Sequence, residues 1–259
     1  MKVLDSFSLE GKVALLTGGA GKYGRQIAYA LAEAGAETYM ASRNVEKLEI
    51  LASELREQGY KAKALYYDQG KEETILALRD EILKQSGRID ILVNNAVART
   101  TNDWDDPAEN FTKSMIINGT GIFLMCRTFG DVMAAQGGGS IINIASMMGM
   151  VGPDKNNYEG LNMGKSAGDY YFHKAGMINF TKFVASKYGA RNVRCNAVSP
   201  GGLFANQPEL FVERYNKRTL LGRMANDTDL KGVIVFLASD ASLYITGANI
   251  PVDGGYTAI

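Results

Sequence analysis

Histidine is almost missing from this chain: 259 residues contain one, His173, together with only two cysteines, Cys126 and Cys195. One histidine and two distant cysteines cannot assemble a Cys/His zinc cluster. A Ser-His-Asp triad would have to run through His173, and nothing around that residue suggests one. Two thiols also fit a reducing compartment better than a disulfide framework. An excess of either charge is missing too, with 28 Lys+Arg against 28 Asp+Glu. No basic field is therefore available to hold a nucleic-acid backbone. No hydrophobic run approaches the roughly 18 residues of a membrane span. The opening Met1-Lys2-Val3-Leu4-Asp5 lacks the apolar stretch of a signal peptide. These absences predict a soluble, cytoplasmic protein without metal, nucleic-acid or membrane partner.

What the chain does have is alternation. Strand-like apolar runs cover Lys12–Thr17, Glu37–Ser42, Lys61–Tyr67, Ile89–Val93, Ser140–Ala145, Val193–Val198 and Ala248–Val252. Helical spacing covers Gly24–Gly35, Val45–Gln58, Glu72–Gln85, Pro107–Ala135, Ala167–Tyr188 and Thr228–Ala238. The long segment 107–135 is expected to be broken or adjusted near Gly119 and Gly121. Continuous apolar strands are those buried on both faces of a sheet. Alternating β and α elements predict an α/β fold: a single doubly wound domain over 1–259, with a parallel sheet of about seven strands and right-handed crossovers.

The first strand-to-helix junction is Thr17-Gly18-Gly19-Ala20-Gly21-Lys22-Tyr23-Gly24. Glycines there permit a tight turn and let backbone approach a pyrophosphate, whose charge then rests at a helix N-terminus. Such a loop is a weak signal alone, but here it has the required strand-before, helix-after context.

The motifs that follow resemble, in order, those of the short-chain dehydrogenases/reductases. They are the glycine loop, Asn94-Asn95-Ala96, Asn118, Ser146, Tyr170-x3-Lys174, Ser199-Pro200-Gly201 and Val252-Asp253-Gly254-Gly255. The chain departs from the family pattern at Lys22 and Val97, where glycines are usual, and at Phe204 and Ala205, where a threonine is common. The resemblance implies a Rossmann-type fold, a nicotinamide cofactor and a homo-oligomer, tetramer or dimer.

Tyr170 and Lys174 are four residues apart and share one helix face. A phenol ordinarily holds its proton too tightly for exchange near neutrality, and a nearby ammonium favours the phenolate. Tyr170 is the expected general acid/base, and Ser146 the hydrogen-bond donor to the substrate oxygen. By resemblance, Lys174 also holds the cofactor ribose and Asn118 anchors a water in the proton relay. Tyr158 is a decoy: it stands 12 residues after Ser146, near the family's usual separation, but Asn162 and not lysine lies four further on. Tyr170 stands 24 residues after Ser146, so Gly152–Gly168 carries an insertion. Its polar residues are expected beside the substrate pocket, or else as a surface elaboration. His173 reads as a packing or interface residue, or one that tunes its neighbours.

After the second strand an NAD site usually carries a carboxylate, whereas this chain offers Ser42 and Arg43. Serine and arginine suit a 2′-phosphate, so NADP(H) is favoured over NAD(H). Lys22 either bends towards that phosphate or points into solvent. The remaining cofactor residues are expected to be Gly18, Gly21, Tyr23, Gly24, Asp68, Gln69, Asn94, Ala96, Pro200 and Gly201. Ser146, Met148, Tyr158, Tyr170 and Phe204 are the candidate substrate contacts, with 201–223 as a mobile cover. Closer resemblance, through Phe7–Ala14 and 201–208, is to the gluconate 5-dehydrogenase-like branch and to bacterial sugar-pathway reductases. It implies reversible reduction of a ketone on a sugar, sugar acid or polyol. The alternatives are a 3-oxoacyl-carrier-protein reductase and a catalytically silent nucleotide sensor or scaffold.

Overall fold

Apolar runs that end at glycine or asparagine turns become strands, and the amphipathic segments between them cover both faces. The computed structural model describes residues 2–163 and 168–259. The strands are β1 (Val13–Thr17), β2 (Glu37–Ser42), β3 (Ala62–Tyr66), β4 (Ile91–Asn94), β5 (Gly139–Ile144), β6 (Val193–Pro200) and β7 (Asn249–Val252). They form one sheet in the order β3-β2-β1-β4-β5-β6-β7, and every pairing is parallel. The chain lays strands outward from β1 in one direction, then returns to lay β4 on its other side. That reversal opens a crevice at the carboxyl ends of β1 and β4, where sheets of this kind bind ligands.

Neighbouring residues of a strand point to opposite faces, and β1 shows the consequence. Leu16 faces α1 (Lys22–Glu33), α2 (Val45–Glu57) and α8 (Lys231–Ala238), packing among Ile27, Leu31, Leu48 and Ile234. Leu15 faces α3 (Glu72–Ser86), α5 (Gly121–Ala135) and α6 (Gly168–Tyr188), among Ile82, Ile122, Phe129 and Val184. The expected doubly wound, seven-stranded architecture is therefore present. A third, smaller cluster of Met147, Phe211, Tyr215, Met224 and Tyr256 lies beyond the carboxyl edge of the sheet.

Two local features refine the sequence expectation. The long helix is α4 (Ala108–Ser114), then a π-helical turn over Met115–Thr120, then α5. The adjustment thus starts before Gly119. Its cause is a neighbour: the Gln69 amide donates to the Ile117 carbonyl at 2.8 Å, and a Cβ at Gly121 would stand 2.4 Å from the Gln69 carbonyl oxygen. An inserted side chain and a close backbone are ordinary causes of such a bulge. Within the expected cover lies an ordered helix, α7 (Glu209–Arg218). The start of α6 at Ala167 and the insertion's residues 164–167 lie outside the described residues.

Candidate active site

The crevice is a cleft of about 650 Å³ running from the glycine loop, past the ends of β4 and β5, to α6 and Pro200-Gly201. Its upper wall is stitched by one threonine. Thr17 Oγ1 accepts from the backbone amides of Asn95 and Ala96, both at 3.0 Å. The Asn95 side chain answers by donating to the Thr17 and Gly18 carbonyls. Gly18 has φ +69°, and a Cβ on it would lie 2.9 Å from the Ala96 Cα. A Cβ on Gly24 would meet the Gly18 carbonyl oxygen at 2.2 Å. These two glycines are demanded by the turn itself. At Gly21, the N-cap of α1, a Cβ would meet only that same oxygen, at 3.3 Å, so the space there is left for something outside the fold.

Lys22 and Arg43 lie along the same end of the cleft, exposed and without an ion-pair partner among the described residues. The Ser42 hydroxyl donates to the Asn44 carbonyl at 3.0 Å and accepts from its amide at 3.2 Å. It therefore shapes the turn that presents Arg43. Asp68 and Gln69 also line the cleft. The Gln69 side chain is turned inward, accepting from the Tyr67 hydroxyl and donating to the Ile117 carbonyl, both at 2.8 Å. A glycine cradle with spare room, a helix N-terminus and two unpaired cations suit a phosphorylated dinucleotide.

At the other end, Ser146, Tyr170 and Lys174 line one wall. Ser146 N-caps a short 3-10 turn, its Oγ accepting from the Met148 amide at 3.1 Å. That uses an acceptor position and leaves the O–H to donate. Lys174 is buried, and its Nζ donates to the Ile144 carbonyl at 2.5 Å. Burial, with Arg99 adding to it, pushes its pKa down to about 7. Its Nζ lies 5.7 Å from the centre of the Tyr170 ring, and the Arg99 guanidinium carbon lies 4.4 Å over that ring. Tyr170 thus has a lysine and an arginine side chain beside its ring.

Arg99 was not found by sequence reasoning. The only available signal was its position five residues beyond β4, at the carboxyl edge. Asn118, on the π-helical turn, explains how it is held. Its Oδ1 accepts from the Ala98 amide at 2.9 Å, and its Nδ2 donates to the Ala98 carbonyl at 2.8 Å and to Ser114 Oγ at 3.0 Å. The amide is fully engaged in fixing the residue before Arg99, and Asn118 is not among the cleft-lining residues.

Other expected residues also lie apart. Asn94 is turned into the core, where its Nδ2 donates to Asn143 Oδ1 at 2.8 Å. Tyr158 packs on Phe211 with ring centres 5.4 Å apart, and Phe204 is exposed; neither lines the cleft. The remaining expected cofactor residues, and Met148, do line it. The described part of the insertion is tied to α7 and to the chain's end. Asp154 pairs with Arg218 at 3.2 Å, the Glu159 carbonyl accepts from Arg214 at 2.5 Å, and Asn157 donates to the Tyr256 hydroxyl at 2.9 Å. Lys155, Asn156, Glu159 and Asn162 are exposed, and none of the insertion's described residues lines the cleft. His173 is buried with neither ring nitrogen hydrogen-bonded, its ring edge-on to Tyr170 at 5.3 Å. Burial, then Lys174, pushes its pKa down to about 4.

A protein-family model described as enoyl-(acyl carrier protein) reductase matches residues 21–257. The D-threitol dehydrogenase of Mycolicibacterium smegmatis is 34% identical over 260 residues, covering 97% of this chain and 95% of that protein. The 2-dehydro-3-deoxy-D-gluconate 5-dehydrogenase of Escherichia coli is 34% identical over 271 residues, covering 99% of both. Among solved structures, a gluconate 5-dehydrogenase from Burkholderia cenocepacia in complex with NADP and tartrate superposes with a TM-score of 0.89. It is 30% identical, with full coverage of both chains.

Proposed function

The chain belongs to the short-chain dehydrogenases/reductases, and from that membership we propose its reaction. It is an oxidoreductase that moves hydride reversibly between a nicotinamide cofactor and a ketone or secondary alcohol. The substrate is a sugar, sugar acid or polyol. The observation that carries this reading is the arrangement around Tyr170: a phenol on the cleft wall, with a buried lysine and an arginine near its ring, beside a serine hydroxyl free to donate.

A reduced nicotinamide, when bound, supplies the hydride. The chain's part is to hold the carbonyl oxygen and deliver a proton. Ser146 donates its O–H to that oxygen and stabilises the charge developing there. Tyr170 gives its phenolic proton to the same oxygen, and Lys174 and Arg99 stabilise the phenolate that remains. In the reverse direction the phenolate removes the alcohol proton. Asn118 keeps the relay role implied by the family only through its main chain, since its amide is spent on Ala98. Within this cleft Gly18, Gly21, Gly24, Ala96, Pro200 and Gly201 form the bed for the dinucleotide, and Lys174 reaches its ribose.

NADP(H) is the preferred cofactor and NAD(H) the alternative, because Lys22 and Arg43 offer free cations at one end and the Burkholderia relative holds NADP. Among the substrates a sugar acid is favoured. Arg99 lines the other end without an ion-pair partner among the described residues, and a guanidinium recognises a carboxylate with two parallel hydrogen bonds. The enzyme works as a homo-oligomer: Phe123 and Phe183 stand exposed on α5 and α6, with Phe180 stacked on Phe183 at 5.9 Å. No helix among the described residues is long and apolar enough to cross a membrane, and two buried free thiols suit the cytoplasm.

Purified protein, NADPH, and a panel of keto sugars, keto acids and acetoacetyl thioesters test the reading. Turnover of keto sugars or keto acids that disappears in Tyr170→Phe, with cofactor binding intact, is the expected result; retained activity in that variant sinks the mechanism. Preference for the thioesters would favour a 3-oxoacyl-carrier-protein reductase. That reading is disfavoured by the cations on α7, since Arg214, Lys217 and Arg218 are engaged by the insertion and by Glu213. Tight NADPH binding with no turnover of any class would favour the sensor.

A further inference from the structure

Gly201 is the last residue of this region bound to the sheet, its amide donating to the Val252 carbonyl at 2.9 Å. Gly202 is the first that belongs to the cover, its carbonyl accepting from the Ala225 amide at 2.9 Å. The peptide that joins them is held at both polar atoms by tyrosine hydroxyls from opposite sides. Tyr23, at the start of α1, donates to the Gly201 carbonyl at 2.8 Å. Tyr215, on α7, accepts from the Gly202 amide at 2.6 Å, and its own hydroxyl proton is directed at Met147 Sδ, 3.4 Å away. Neither glycine leaves room for a side chain. A Cβ on Gly201 would stand 2.9 Å from the Asp253 Cα, and one on Gly202 would stand 3.0 Å from Met224 Cε. The peptide is also a partition: both glycines line the main cleft and a second cavity of about 450 Å³ behind it.

We propose that Tyr23 is a positioning residue, which fixes the Gly201–Gly202 peptide against Tyr215 and thereby couples the glycine loop to the cover over the substrate site. The reading rests on the proposed dinucleotide-dependent reaction for its catalytic consequence, not for the clamp itself. Burial raises the pKa of both hydroxyls, so both stay protonated at any working pH. A ligand seated on the N-terminus of α1 bears on the helix that carries Tyr23. Through one peptide it therefore steadies Leu203, Phe204 and the strand-like bridge from Leu203 to Ala225. A tyrosine in this role makes the cover's order depend on the loop that receives the cofactor.

The test compares Tyr23→Phe and Tyr215→Phe with Tyr29→Phe, a control on the outer side of the same helix. Amide hydrogen exchange of the cofactor-free proteins reads the clamp directly. Exchange in peptides spanning 202–210 should rise about fivefold in the first two variants, the size of one lost hydrogen bond, and stay unchanged in the control. On adding NADPH, wild type should gain protection across 203–218, and Tyr23→Phe should lose most of that gain. Its KM for the carbonyl substrate should rise about fivefold, more than its kcat falls. Unchanged exchange at 202–210 in the cofactor-free variants would overturn the clamp. Equal NADPH-induced protection in wild type and Tyr23→Phe would overturn the coupling. If wild type binds no NADPH by fluorescence titration, the proposed reaction fails instead, and the cofactor-free exchange still decides the clamp.

Discussion

The guanidinium of Arg99 sits 4.4 Å over the ring of Tyr170, on the cleft wall that also carries Lys174. A cation over an aromatic face is attracted to the ring quadrupole and helps to hold the ring in place. The same cation lines the end of the cleft proposed to take the substrate, so two effects meet in one side chain.

Replacing Arg99 with glutamine should therefore act unevenly across substrates. For a keto acid, kcat/KM should fall about tenfold or more, the size of a lost charge-assisted pair, while a neutral ketose loses less. Steady-state kinetics on a matched acid and neutral substrate measure the difference. Equal losses on both would remove the carboxylate role and leave only the effect on Tyr170.

Lys174 makes stability rise with pH. Its folded pKa is lowered to about 7, against roughly 10.4 for a free lysine. Between those values the unfolded chain binds the proton that the folded chain has released, so stability increases as pH climbs through the window. The Tm of cofactor-free enzyme should rise from pH 7 towards pH 10. In Lys174→Met that slope should vanish together with activity. A flat wild-type profile would show that the lysine stays charged in its burial site.

His173 acts on the acid side by the same sign rule. It is neutral when folded, with a pKa lowered to about 4, against about 6.5 when free. Stability should therefore be lost as pH falls from 6.5 towards 4, where only the unfolded chain takes up the proton. His173→Leu should flatten that limb in thermal melts while leaving the neutral-pH Tm within a few degrees.

The glycine loop separates folding from binding. Gly24→Ala drives a methyl against the Gly18 carbonyl at 2.2 Å and should cost about 2 kcal/mol or more of stability. Gly21→Ala meets only one atom, at 3.3 Å; it should keep its Tm but lose NADPH affinity in a fluorescence titration. Arg43→Asp should weaken NADPH about a hundredfold, through loss of a bidentate anion contact and added repulsion. NADH binding should change little, and equal losses for both cofactors would put Arg43 elsewhere in the site.

Most of the frame is legible in the sequence, because strands such as β1 and β4 are apolar runs and the junctions after them carry glycine or asparagine. The order of the motifs around Gly18, Ser146, Tyr170 and Lys174 was legible for the same reason: each sits at a fixed place relative to a strand end or a helix turn. What escaped depends on contacts between distant segments. Gly119 and Gly121 announce an adjustment there, but its form, a π-helical turn over Met115–Thr120 packed on Gln69 about fifty residues earlier, does not show in the local pattern. Helix α7 hides its apolar face, Phe211 and Tyr215, under an insertion that is itself polar in composition. The insertion's composition suits a sugar, yet its Asp154, Asn157 and Glu159 are tied to Arg218, Tyr256 and Arg214. Arg99 stood in a loop with no periodicity at all.

The grip of Asn118 on Ala98 has an evolutionary consequence. With both backbone atoms of residue 98 bound by one amide, the next position is a side chain mounted on a fixed post. In the proposed reaction, exchanging it changes both the charge offered to the incoming molecule and the cation over Tyr170, while the frame stays in place. On the proposed reaction, divergence in substrate charge among proteins sharing this post should concentrate at position 99.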